Sequence, residues 1–120
     1  TNQGLMVTAA TIHMAMLGAE GLARTAAASY QNHRKLVSRL TEINGVEAVF
    51  SSPVFHETVL RLPIATDQVL KELADDDVLA GYNLSKDYPE LGNVLLVCST
   101  EKQTDQGVDI YVEKLKNLLS

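Results

Sequence analysis

The three histidines, His13, His33 and His56, and the single cysteine, Cys98, are the first side chains to weigh for nucleophilic, metal-ligating or proton-carrying chemistry near neutral pH. The histidines fit no metal-binding spacing of the H-E-x-x-H kind, so no metal site is expected from them. His13 and His33 fall on apolar helical faces and read as core or interface histidines with satisfied hydrogen bonds. Cys98 sits in the most apolar stretch of the chain and reads as a buried structural thiol. A nucleophilic cysteine needs an electropositive, partly exposed setting instead. A Ser–His–Asp set can be picked from the composition, but no G-x-S-x-G elbow supports it. Gly18 and Gly21 have no following lysine and no preceding strand, so they read as a helix–helix junction rather than a phosphate loop. Arg24, Arg34, Lys35 and Arg39 form a solvated helix face without interleaved exposed aromatics, not a nucleic-acid stripe. Lys86, beside Asp87, lies in a loop facing solvent. A Schiff-base lysine needs desolvation or a cationic neighbour, and the sequence shows neither. The chain taken alone therefore offers no catalytic residue and no complete active site.

The elements that carry these residues follow from hydrophobic period. Leu5, Ala9, Ile12 and Met16, widened by Met6, His13 and Leu17, predict a first helix with apolar surface on more than one side. Gly18-Ala19-Glu20-Gly21 interrupts it. A second helix is expected from about Leu22 to Ile43, with Leu22, Ala26, Tyr30, His33, Leu36 or Val37, Leu40 and Ile43 inward, and Asn44-Gly45 as its stop. The period then changes from helical to alternating. Strands are expected at Val46–Phe50, Phe55–Leu62, Val78–Tyr82 and Asn93–Ser99, the last nearly all apolar and hence central. A short helix lies between the second and third, capped at Thr66-Asp67-Gln68 and ending abruptly at Asp75-Asp76-Asp77. Thr104 caps the final helix, which buries Val108, Tyr111, Val112, Leu115, Leu118 and Leu119. The fold class is α+β: an open-faced sandwich with a mostly antiparallel four-stranded sheet, helices on one side and two helices in front, containing a split βαβ unit.

Composition sets the outer bounds. The 120 residues are expected to form a single domain, 1–120, large enough to fold without disulfide or metal staples. Ten basic against fifteen acidic residues give a net charge of -5, which disfavours nucleic acid and anionic membranes as partners. One cysteine excludes an internal disulfide and suits a reducing, cytoplasmic compartment. No apolar run approaches the roughly 20 residues of a membrane span, and no signal-peptide pattern opens the chain. The start at Thr1, already at the entrance to a helix, reads as the edge of a piece of a longer protein.

Two stretches are more specific. Thr1-Asn2-Gln3-Gly4-Leu5 runs into an Ala-rich helix ending in Leu17-Gly18-Ala19-Glu20-Gly21-Leu22. Gly81-Tyr82-Asn83-Leu84-Ser85-Lys86-Asp87-Tyr88-Pro89-Glu90-Leu91 feeds Asn93-Val94-Leu95-Leu96-Val97-Cys98-Ser99-Thr100-Glu101. In order and over the whole chain, these resemble the C-terminal small domain of the glycine dehydrogenase (decarboxylating) family, the P-proteins of the glycine cleavage system. The likeness is to subunit 1 of the form split into two chains. His13 departs from the tyrosine found there in many relatives, which touches nothing catalytic.

The resemblance implies a fold type I pyridoxal-phosphate protein. Its parent would release CO2 from glycine and pass the aminomethyl group to the lipoyl arm of the H-protein. The cofactor carries that chemistry, and the protein orients bonds and supplies charge. The Schiff-base lysine would lie outside this chain, which alone would bind no cofactor. By the same likeness Thr1, with Asn2 and Gln3, would either contact the cofactor phosphate across a subunit interface or merely cap the first helix. The partners implied are the rest of its own subunit, a second P-protein subunit if the enzyme is split, and the H-protein. The alternative is a free-standing regulatory module binding a small ligand, because fold does not fix function.

Overall fold

A computed structural model describes residues 3–120. In chain order it holds α1 (Gly4–Leu40), β1 (Glu47–Ala48), β2 (Glu57–Arg61), α2 (Thr66–Asp75), β3 (Tyr82–Asn83), β4 (Val94–Cys98) and α3 (Asp105–Leu118). Two 3-10 turns, Leu84–Lys86 and Pro89–Leu91, join β3 to β4. The sheet order is β1-β2-β4-β3 and every pairing is antiparallel. Because β2 and β3 both run against β4, they are parallel to each other with β4 between them, the split βαβ arrangement expected from the sequence. The apolar β4 is interior, paired with β2 on one side and β3 on the other.

Alternation along β2 and β4 sorts the sheet into two faces. Thr58, Leu60, Leu95 and Val97 are buried, while Glu57 and Cys98 are exposed and Val59 and Leu96 half-buried. The buried face packs against Leu36 and Leu40 of α1, Val69 and Leu73 of α2, and Val108, Tyr111 and Leu115 of α3. Ion pairs run along the seam between α1 and α3, from Lys35 to Asp105 at 2.6 Å and from Arg39 to Asp109. This accounts for the basic face of α1 as a solvated, paired surface. Gly45, at φ 83°, follows the end of α1 as the sequence requires.

The first two predicted helices are one element with a break inside it. Gly18 leaves helical geometry (φ 65°, ψ 180°) at the junction foreseen there, a conformation open to glycine at no steric cost. Residues 3–16 are all exposed. This arm is about 21 Å long at 1.5 Å per residue. It lifts the radius of gyration to 16.5 Å, against about 13.6 Å for a compact chain of this length. From Gly4 to Ala19 there is no Asp, Glu, Lys or Arg. The Thr8 and Thr11 hydroxyls donate to the carbonyls of Gly4 and Val7 at 3.0 and 2.8 Å, so they leave no unmet polar demand on this surface. By length and composition alone α1 resembles a membrane span, but the apolar arm ends at the Gly18 break, about 21 Å along and short of the roughly 30 Å of a bilayer core. Interspersed Thr, His and Gly hide the span-like composition from a search for an unbroken apolar run.

Four local expectations are corrected. The inward stripe at the start of the second helical segment is Gly21, Thr25, Ser29 rather than Leu22, Ala26, Tyr30, which are exposed. Small residues there let the chain at Glu101 approach, its N–H donating to Ser29 Oγ at 3.0 Å. The third strand is confined to Tyr82–Asn83 and Leu79 is fully in solvent. Pairing begins only after Gly81, where a Cβ would sit 2.2 Å from the Leu96 carbonyl oxygen. The Ala80 carbonyl just before it accepts from Tyr111 Oη at 2.8 Å instead of joining the ladder. Thr66 does not cap α2; Ala65 holds that position, and the Thr66 hydroxyl is buried near Ser85 and the Val94 carbonyl. The segment before β2 pairs later than expected, leaving Phe55 and His56 outside the strand. Thr104, by contrast, caps α3 as predicted, accepting from Gly107 N–H at 3.1 Å.

Candidate functional site

The start of α1 carries the residues singled out as phosphate contacts. Thr1 and Asn2 lie outside the described residues. Gln3 is the N-cap: its carbonyl accepts from Val7 N–H at 3.0 Å, but its side chain makes no capping bond. The first turn of α1 holds no acidic residue. The positive end of the helix dipole therefore meets no compensating carboxylate from its own first turn, a setting that favours an external anion.

A second feature lies where the middle of α1 meets the β1–β2 loop. A cleft of about 540 Å³ is lined by Tyr30, His33, Arg34, Ser51, Ser52 and Thr58 among others. His33 is fully buried, and its Nε2 lies 2.7 Å from Thr58 Oγ1. Burial pushes the imidazole below its usual pKa; the nearby His56 adds to the shift and Glu57 opposes it. The ring is accordingly neutral at pH 7. Thr58–His33 has the spacing of a hydroxyl and its base, but His33 Nδ1 has no partner among the described residues. Without a third group to fix the tautomer, the pair is a core hydrogen bond rather than a nucleophilic triad. Arg34 lies 5.8 Å from the Tyr30 ring centroid and donates to Tyr30 Oη at 3.2 Å, which leaves a cationic rim on the cleft.

The motif Gly81–Leu91 has a structural explanation. Asn83 Nδ2 donates to Asp67 Oδ1 at 2.8 Å, and Lys86 Nζ pairs with the same oxygen at 3.0 Å. These two partners hold the Asp67 carboxyl below the usual carboxylate range. Asn83 Oδ1 accepts from Ser85 N–H at 3.0 Å, and Ser85 Oγ accepts from Val94 N–H at 3.0 Å. The string thus fastens the loop between β3 and β4 to the start of α2. No lysine among the described residues is buried.

One sequence assignment is narrowed here and one is overturned. His13 is exposed on the arm, so of the core and interface readings the core one falls, because no described residue is buried on that half of α1. Cys98 is exposed as well. It ends β4 on the open face, where alternation points it away from the helices while Val97 and Ser99 face them. Sequence spacing also missed a cluster: strand pairing brings Cys98 beside His56 and Glu57. The only signal for it was the alternation that puts Glu57 and Cys98 on the same sheet face.

No family model matches the chain. It is 52% identical over 119 residues to the probable glycine dehydrogenase (decarboxylating) subunit 1 of Methylococcus capsulatus, covering 99% of this chain. Against proteins of the same name it is 50% identical in Nitrosospira multiformis and 46% identical in Legionella pneumophila over 99% and 100% of its length. The chain spans about a quarter of these curated relatives, 26% in each case. A crystal structure of glycine decarboxylase (P-protein) of the glycine cleavage system, in inhibitor-bound form, superposes with a TM-score of 0.83 at 30% identity. The match covers 90% of this chain and 24% of that one. A NifS-like protein shares the fold alone, with a TM-score of 0.68 at 17% identity over 83% of this chain and 29% of that one. The resemblance read from the sequence thus extends along the whole chain.

Proposed function

We propose that this chain is the small C-terminal domain of subunit 1 of a glycine decarboxylase, and that it shapes the cleft and a subunit contact without carrying catalytic groups. The observation that carries this reading is similarity along 99% of this chain to about a quarter of glycine dehydrogenase subunit 1, borne by a chain with a bare apolar arm. In the parent, pyridoxal phosphate when bound supplies the electron sink for loss of CO2 from glycine; the aminomethyl group passes to the lipoyl arm of the H-protein. The start of α1 suits the phosphate of that cofactor through its uncompensated dipole, and Thr1, Asn2 and Gln3 are the residues proposed to contact it. The arm is covered by the rest of the subunit or by its partner subunit rather than by lipid, and the assembly is cytoplasmic. Purified parent protein is tested by exchange of labelled bicarbonate into glycine, dependent on lipoylated H-protein. Exchange is expected; its absence in protein that retains cofactor contradicts the reading.

The cleft beside His33 and Arg34 favours one second reading, a module that binds a small amino acid or other anion. Saturation by such a ligand, with a rise in melting temperature, is its signature. The decarboxylase reading predicts no shift.

A further inference from the structure

Glu57 of β2 and Cys98 of β4 are direct partners across the sheet. His56 precedes Glu57, and its carbonyl accepts from Ser99 N–H at 3.1 Å, which pins this end of the two strands together. An imidazole nitrogen, a carboxylate oxygen and the Cys98 sulfur all lie within 4.8 Å of one another. Phe55 packs edge-on to the His56 ring, with centroids 4.7 Å apart at 82°, and so limits its rotation. His56 Nδ1 is buried and has no hydrogen-bond partner among the described residues. Among those residues Glu57 forms no ion pair either, although Arg61 on the same face is bonded to Glu47.

Three unlike donors converge here, and the His56 ring that supplies one of them carries an unpartnered nitrogen, an arrangement suited to a cation. We propose that His56, Glu57 and Cys98 bind one borderline-soft divalent metal ion, Zn²⁺ being the ion this donor set suits, with a fourth position open to water. Thiolate and imidazole select against Mg²⁺ and Ca²⁺, which take oxygen ligands. Tetrahedral zinc at about 2.0–2.3 Å from each donor sets the donors roughly 3.3–3.8 Å apart. The donors lie within 4.8 Å of one another, and rotation of the exposed Glu57 and Cys98 side chains is the movement that would bring them to that spacing. Binding forms the metal–sulfur bond as the thiol proton leaves to solvent, so charge balances with no redox partner. Three protein ligands and one open position is the arrangement of exchangeable rather than purely structural zinc. The site is independent of the decarboxylase reading, since it uses neither the start of α1 nor the arm.

Cobalt is the probe. The full-length protein carrying this sequence is stripped of metal, kept reduced and titrated with Co²⁺. The expected result is one equivalent bound, with a thiolate-to-cobalt charge-transfer band and visible bands of tetrahedral intensity, all displaced by one equivalent of Zn²⁺. Cys98→Ser removes the charge-transfer band, while His56→Gln and Glu57→Gln each weaken binding by about tenfold or more. Glu57 and Cys98 are exposed, so their variants fold. The proposal is overturned if excess cobalt gives no such band, or if the band survives Cys98→Ser.

Discussion

Replacing Met16 by Glu separates what the arm does for this domain from what it does for an assembly. Met16 is 82% exposed and Leu5 80%, and both lie on the half of α1 where no described residue is buried. Within the isolated chain the substitution therefore removes almost no burial, and its effect on folding stability stays within about 0.5 kcal/mol. In a parent where the arm is covered, the same change forfeits about 1.5–3 kcal/mol of side-chain burial. It also places an unpaired carboxylate in an apolar contact, a further cost of several kcal/mol unless the group takes up a proton. Every 1.4 kcal/mol is tenfold, so the burial term alone weakens the contact roughly 10- to 100-fold. Met6→Glu behaves alike, and Met16→Leu conserves volume and leaves assembly intact. Thermal unfolding of the isolated chain and sedimentation of the assembled parent read the two effects separately. Assembly unchanged by Met16→Glu and Met6→Glu together refutes the arm as an interface. A fall of several degrees in the chain's own melting temperature refutes its exposure.

Other consequences can be checked on the chain itself. Gly81→Ala places a Cβ against the Leu96 carbonyl at an unfavourable φ of 151° and lowers stability by about 2 kcal/mol or more in urea unfolding. Thr104→Ala costs about 1 kcal/mol through the lost cap, whereas a cap-type loss is not expected at Thr66, whose hydroxyl bonds elsewhere. His33 has a folded pKa below its unfolded value of about 6.5. Above that pH neither state is protonated and the group is silent. As pH falls below it the unfolded chain takes up a proton that the native state refuses, and stability declines by up to about 1.4 kcal/mol per pH unit until the folded pKa is reached. In His33→Gln this component of the acid slope, followed by urea unfolding between pH 7 and 5, is absent. Tyr111→Phe strands the Ala80 carbonyl and costs about 1–2 kcal/mol by the same assay.

How far the sequence could be read depends on how local each determinant is. The order of elements, the interior position of β4 and the Thr104 cap were legible because each is written in neighbouring residues and their period. Stripe phase in α1 was missed because it is set by what packs there. Ser29 faces inward to receive the Glu101 amide, while the larger Tyr30 stays out. Cys98 was misplaced because an apolar neighbourhood in sequence was taken for an apolar environment in space, when the last residue of β4 points to the open face. The cluster with His56 and Glu57 is a product of strand register, which no spacing motif encodes. Resemblance reached further than period, through the Gly81–Leu91 string. That string proves to fasten a loop through Asp67, Asn83 and Lys86.

The central claim is that this sequence works as one domain of a larger decarboxylase. Its most direct test is the intact mass of the native polypeptide carrying it, purified from its own cells together with whatever accompanies it. The account predicts a chain about four times the 13.1 kDa of this domain, in line with the 26% coverage of its relatives, co-purifying with a pyridoxal-phosphate subunit. A lone chain of 13.1 kDa with no such companion contradicts it.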